Sequence, residues 1–346
     1  MAGPESAARA IDAMRRGWPI AIAGDRATLA LRSVEMLVDD TTEWPAAVLI
    51  SGERAATLKL TNQFAAASCG PVLVTGVTGV AAAMALADPS LDLATPMKGP
   101  FQTAAIADDG AARAAIDLAR HAGLLPAFVV LNPGDGTYAS TSAAAVSAYA
   151  DPQRLAIAAR ARLPVTVSEQ AEIVAFRSPD DPREHVALIL GVPDGSPPVV
   201  RLHSECLTGD VLGSMKCDCG PQLHAALDAI AHASWGVLLY LRQEGRGIGL
   251  INKLRAYELQ DQGFDTVDAN VRLGFPIEAR DFRIAARMLN LLGVSSVRLM
   301  TNNPEKVARL NAEGVDVAER LPLALPANPH NERYLATKRD RTGHQL

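Results

Sequence analysis

Leu238-Leu-Tyr-Leu-Arg-Gln-Glu-Gly-Arg-Gly-Ile-Gly249 sets an apolar run against a glycine-rich turn. The run belongs to a strand expected over Gly236–Leu241, and helical spacing follows from about Gly247 to Gln262. A strand that feeds a helix through a tight turn is the building unit of α/β layers. The same alternation recurs outward in both directions. Downstream, a helix runs from Asp281, as its cap, to Gly293; Val297–Met300 reads as a strand, and Asn303-Pro304-Glu305 opens a helix closed by Gly314. Upstream, Val199–Leu202 and His185–Leu190 read as strands, and a helix from Pro221 to Ala233 carries proline in its first turn.

The first half follows the same grammar with less chemistry. Helical spacing at Ala7–Arg16 stops at Gly17, and Pro19–Ala23, Ala47–Ile50, Pro71–Val74 and Ala127–Leu131 read as buried strands. A helix at Ala111–Ala122 ends at Gly123. Turn residues are dense between positions 178 and 198, which places a boundary there. The expected fold is α/β, in the layered sense, with two domains, 1–178 and 196–346, each a mixed sheet with packed helices.

A length of 346 residues fits two domains, and 49% hydrophobic with 21% charged residues allows a sizeable core in each. A net charge of −5 argues against a nucleic-acid-backbone partner, because no basic excess is present to replace counterions. No apolar run is long enough to span a bilayer, since the window Val77–Leu86 is closed by Asp88-Pro89. Met1-Ala-Gly-Pro-Glu-Ser6 does not read as a signal peptide, and a cytoplasmic, membrane-free protein is expected.

In that compartment the four cysteines stay reduced, so their grouping speaks for metal or catalysis. Cys206, Cys217 and Cys219 cluster; Cys69 stands apart and reads as a small core residue. Three thiolates leave a fourth zinc position open for water, which loses a proton near neutral pH. Two other readings of the same residues stay open: His203 completing a closed structural site, and thiols that are buried bystanders. The glycine turn, flanked by Arg242 and Arg246, suits an anion, though an ordinary βα turn would look alike. Lys306 reads either as a surface lysine or as one aimed at phosphate.

These residues form a longer pattern. Arg201-Leu-His-Ser-Glu-Cys-Leu-Thr-Gly-Asp210, Lys216-Cys-Asp-Cys-Gly220, Arg242-Gln-Glu-Gly-Arg246, Asn252-Lys253, Leu259-Gln-Asp-Gln-Gly263, Leu273-Gly-Phe275 and Thr301-Asn-Asn-Pro304 strongly resemble GTP cyclohydrolase II, over nearly all of 196–346. The resemblance implies hydrolysis of GTP at C8, with release of formate and pyrophosphate, as the first step of riboflavin synthesis. It implies one Zn²⁺ per subunit on Cys206, Cys217 and Cys219, Mg²⁺ with the GTP phosphates, and a homodimer. Substrate contacts would come from Arg201, Leu202, His203, Ser204, Glu205, Gln222, Glu244, Gly245, Arg246, Thr266, Thr301 and Lys306, with Glu244 on the guanine edge. Tyr257 would sit near the reacting ring. Glu278 would be the proton acceptor, where the family has Asp, a carboxylate of similar reference pKa. Arg280 falls at the family's proposed nucleophile; an arginine is effectively always protonated, so a clamp on the α-phosphate suits it better.

The first half resembles dihydroxybutanone phosphate synthase through Ala10-Ile-Asp-Ala-Met-Arg-Arg-Gly17, Ala114–Leu124, Pro126-Ala127 and Asp135-Gly-Thr137. Its expected acidic loop instead reads Gly24-Asp-Arg-Ala-Thr-Leu-Ala-Leu31. The expected His falls about Ala111 and the expected Glu about Asn132. Without those metal-holding groups, this half reads as a non-catalytic scaffold. Three other functions compete: a paralogue on another nucleotide or stopping at the formylated product, a nucleotide sensor without turnover, and a true bifunctional enzyme.

Overall fold

The computed structural model describes residues 3–37, 44–63, 70–132 and 138–345. Cys69 and the segment 135–137 lie outside the described residues. The chain forms two compact units, one of Met1–Asp151 with Ile248–Ala279, the other of Pro152–Gly247 with Arg280–Leu346. The turn-rich stretch 178–198 lies within the second unit.

The first unit is built on a seven-stranded mixed sheet: β1 Ile20–Ala23, β2 Thr28–Ser33, β3 Ala46–Ile50, β4 Val72–Val77, β5 Gln102–Ala104, β6 Ala127–Leu131 and β7 Ala139–Ser142. Their order is β5-β4-β3-β6-β2-β1-β7, with β1 and β7 parallel and the other described pairs antiparallel. Alternation along the strands sends Leu49 and Phe128 to one core and Val48, Ile50, Ala127 and Val129 to the other. Helices Pro4–Arg15, Asp109–Ala122 and Ala143–Tyr149 cover the first face with small apolar side chains. Ile248, Ala256, Leu259, Ala269, Leu273 and Phe275 join the second core, on and beside the helices Leu250–Asp261 and Thr266–Arg272. Asn252, fully buried, donates to the Gly123 and Ile248 carbonyls at 3.1 and 3.0 Å. Where the sequence reading looked for an acidic loop, β1 and β2 form a hairpin.

The second unit carries β8 Ala156–Arg162, β9 Glu172–Arg177, β10 His185–Gly191, β11 Val199–Ser204, β12 Trp235–Leu241, β13 Ser296–Met300 and β14 Asp316–Leu321, in the order β14-β13-β11-β12-β10-β9-β8. The half from β14 to β12 is parallel and the half from β12 to β8 antiparallel. Every residue of β12 except Tyr240 is buried, as expected of a parallel strand covered on both faces. Helix Cys219–Ala231 contributes Ala226 and Ile230 to one core; helices Arg283–Leu291 and Pro304–Ala312 contribute Ala285, Met288, Leu289 and Leu310 to the other. Phe282, not Asp281, holds the cap position before Arg283, although the Asp281 carboxylate does accept the Arg283 N–H at 3.0 Å. The strands β8, β9 and β14 and the helix Glu332–Thr342 had no sequence expectation. Parallel strands β11, β12 and β13 all deliver their carboxyl ends to one edge of the sheet, where open α/β sheets bind ligands.

Candidate active site

At the end of β11 the chain makes one turn of π-helix, Leu207–Val211, and returns to start helix Cys219–Ala231. This brings the sulfurs of Cys206, Cys217 and Cys219 within 4.8 Å of one another, with Cys206 and Cys217 3.7 Å apart. Gly209 is required at the crossing: a Cβ there would stand 2.9 Å from the Cys217 sulfur and 3.0 Å from that of Cys206. Its N–H points at the Cys206 sulfur at 3.3 Å. Crowding with Cys206 pushes the Cys217 thiol up, and Cys206, Cys217 and burial push Cys219 well up. Ionised together at this spacing, the three thiols would need a cation to share their charge, so the cluster could hold a metal ion.

His203 is not part of the trio. Its Nε2 lies 3.0 and 3.1 Å from the two Asp210 oxygens, and its ring stacks on Tyr240 with centroids 5.6 Å apart. Asp210 also accepts from the Tyr240 hydroxyl at 2.9 Å and the Cys206 N–H at 3.1 Å, so one buried carboxylate ties β11, β12 and the thiol loop together. Burial, with Asp210 beside it, pushes the Tyr240 phenol up.

Arg201 is 7% exposed. One terminal nitrogen donates to the Met300 carbonyl at 3.1 Å and the other to Gln222 Oε1, while its Nε has no partner. Burial pulls its pKa down to about 10, leaving it charged at neutral pH. A buried cation with a free donor is poised for an anion. On β13's side, Thr301 is buried and its hydroxyl accepts the Asn303 N–H at 3.1 Å. Lys306, 7% exposed, donates to the Leu202 carbonyl at 3.1 Å, which removes the surface-lysine reading. Arg280 lies 5.2 Å from the Phe282 ring.

After β12, Arg242 pairs with Glu205 at 2.8 Å. Glu244 accepts the Leu207 N–H at 2.6 Å and the Gly245 N–H at 3.0 Å. Gly245 and Arg246 both take φ of +61°. That conformation suits glycine, and in arginine it is a local strain of the kind found at ligand sites.

The expected site residues therefore divide. Arg201 to Glu205, the three cysteines, Gln222, Glu244 to Arg246, Arg280, Thr301 and Lys306 belong to the second unit, whereas Tyr257, Thr266 and Glu278 belong to the first. In the first unit Lys253 Nζ lies 5.8 Å from the Tyr257 ring centre, and Thr266 Oγ1 accepts from Gln260 at 3.0 Å. Sequence reasoning missed Asp210 and Asp218 as organisers, though both stood inside quoted motifs.

A model of the family described as GTP cyclohydrolase II matches residues 156–322. GTP cyclohydrolase-2 of Azospirillum brasilense is 43% identical over 377 aligned positions, spanning 99% of this chain and 95% of the relative. GTP cyclohydrolase-2 of Neisseria meningitidis is 60% identical over 165 positions, 47% of this chain and 84% of the relative. A solved structure of RibBX, a two-domain 3,4-dihydroxy-2-butanone 4-phosphate synthase from A. baumannii, covers 92% of this chain and 99% of its own at 17% identity, with a TM-score of 0.30. With one relative alike along nearly the whole of both chains, this chain belongs to the GTP cyclohydrolase II family of riboflavin biosynthesis enzymes.

Proposed function

We propose that the chain hydrolyses GTP at C8, releasing formate and pyrophosphate and leaving a diaminopyrimidine ribosyl phosphate, with one zinc ion on Cys206, Cys217 and Cys219. The observation that carries this is the sulfur spacing. Zinc–sulfur bonds of ~2.3 Å at tetrahedral angles put sulfurs about 3.8 Å apart, and Cys206 and Cys217 stand 3.7 Å apart. Bound there, zinc makes water nucleophilic near neutral pH.

The chain's own residues supply the rest. Arg201, with its free buried donor, and Lys306 hold phosphate oxygens, and the Gly245–Arg246 backbone lies against the triphosphate, which carries Mg²⁺. Glu244 accepts the Leu207 and Gly245 N–H groups, and a carboxylate, as an acceptor of amine and ring N–H donors, suits the guanine edge. Thr301 and the segment from Leu202 to Glu205, with Gln222 and Thr266, complete the substrate contacts. Tyr257 positions the attacking water or the opened ring, Glu278 accepts the proton, and Arg280 clamps the α-phosphate. The catalytic region is 196–346, the enzyme works as a homodimer in the cytoplasm, and 1–178 is a synthase-like scaffold without synthase activity. Among the described residues no helix is long and apolar enough to cross a membrane.

The test is purified protein with GTP, assayed for formate and pyrophosphate beside Cys217→Ser. Formate release is expected to fall at least about a hundredfold, the scale that even outer-shell metal partners reach. Full activity in the variant would remove the metal mechanism. Pyrophosphate persisting without formate would show that the two cleavages are separable.

A further inference from the structure

The family model stops at residue 322, yet the chain beyond it reaches the metal loop. Helix Glu332–Thr342 places Lys338 so that its Nζ donates to Asp218 Oδ1 at 2.7 Å, with side chains 13% and 6% exposed. Asp218 is the residue between two of the three clustered cysteines. The same Nζ lies 4.4 Å from the Tyr334 ring centre. Further on, the Gln345 N–H donates to the Asn302 carbonyl at 2.8 Å, beside Thr301. The C-terminal segment is thus pinned at two loops of the active edge.

We propose that Lys338 is a positioning residue for GTP binding, acting on Arg201 through Asp218 and Gln222. This rests on the reading of Arg201 as a phosphate-binding group. The chain of bonds is continuous. Asp218 Oδ2 accepts from Gln222 Nε2 at 2.5 Å, which fixes the amide so that Oε1 faces the Arg201 guanidinium. Charge gives the chain its purpose. Asp218 is 4% exposed, and a buried carboxylate must be compensated. Lys338 compensates it. Without Lys338, the Asp218 charge would fall on Arg201, the nearby cation with a free donor, and weaken its hold on an incoming anion. Burial works against charge on Lys338, but Tyr334 and Asp218 outweigh it and hold its pKa above the ordinary lysine value.

The experiment measures KM and kcat for GTP, with zinc per chain, in the full-length protein. Lys338→Met is expected to raise KM about tenfold, the cost of one weakened charge-assisted contact, with kcat within about threefold. Zinc should stay at the wild-type ratio and Lys338→Arg should restore KM. In an Asp218→Asn background Lys338→Met should change KM less than about twofold, because the partner it acts through is gone. Lys338→Gln, which keeps a donor and loses the charge, serves if the methionine variant folds poorly, and an intermediate KM is expected. Unchanged KM in Lys338→Met, an undiminished effect in the Asp218→Asn background, or zinc lost together with kcat at constant KM would each overturn the proposal. Wild-type protein with neither metal nor GTP turnover would overturn the proposed function and this inference together; an active, zinc-bearing wild type indistinguishable from Lys338→Met would overturn the inference alone.

Discussion

Two buried arginines separate the units. Arg54, in the first, is 1% exposed and fully engaged: its Nε donates to the Leu86 carbonyl at 2.8 Å, and its terminal nitrogens donate to Asp92 at 2.8 and 2.7 Å. Arg201, in the second, is nearly as buried but keeps one donor without a partner. A satisfied buried charge holds a fold together; an unsatisfied one is a cost the fold carries for a ligand. The sheets differ in the same sense. The first unit's strands are mostly antiparallel, whereas the second aligns the ends of β11, β12 and β13 so that their loops converge.

The strongest test of that contrast exchanges each arginine for methionine. Arg54→Met should cost about 3–5 kcal/mol of stability, because Asp92 is left half-buried with Lys98 as its main remaining partner. Its KM for GTP should not change. Arg201→Met should do the reverse, raising KM by roughly 30- to 100-fold for the loss of charge-assisted bonds while stability moves by about 1 kcal/mol. Denaturant unfolding and steady-state kinetics on both variants decide it. Loss of GTP binding in Arg54→Met with the fold intact would erase the division of labour.

A pH experiment sharpens the comparison within the second unit. His185 on β10 is buried and its Nδ1 accepts the Arg242 N–H at 3.1 Å, at the root of the glycine turn. Burial, then the charge of Arg183, pulls its pKa down to about 4. As pH falls below 6.5 the unfolded chain takes up the proton first, so the unfolded state binds more protons between 6.5 and 4. Stability is therefore complete above 6.5 and declines toward 4, by roughly 3 kcal/mol at the lower end. His185→Gln keeps an acceptor without titrating and should flatten that slope. Equal slopes in the two proteins would mean that His185 is not held neutral.

The sequence revealed what lies close along the chain. Cys206, Cys217 and Cys219 fall within fourteen positions, and their meeting needs only one tight return, so the trio was legible. Strand and helix identities were legible where apolar period and glycine stops agreed, as at Asp109–Ala122 and β12. What required distant partners was not. Asn252 reads as a polar helix residue until its side chain is seen to donate to Gly123, 129 positions away. Lys306 sits in a first turn where a lysine is usually solvated, and only packing against β11 shows it buried. Lys338 and Asp218 are 120 positions apart, and no local pattern joins them.

The finest test compares two helix caps. Asp108 in the first unit accepts the Ala111 N–H at 2.8 Å and, on its other oxygen, the Arg26 and Ala27 N–H groups at 2.6 and 3.3 Å, so it also holds the β1–β2 hairpin turn. Asn303 in the second accepts the Glu305 N–H at 3.0 Å with its side chain. Loss of a cap costs ~1 kcal/mol, up to about 2 in tight settings. Asn303→Ala should therefore cost about 1 kcal/mol. Asp108→Ala should reach about 2 kcal/mol, since it also removes the acceptor of the Arg26 and Ala27 N–H groups. Shifts in the denaturation midpoint measure both. Equal costs would mean that the hairpin turn finds water in place of Asp108, and that these two bonds add nothing to the first unit's stability.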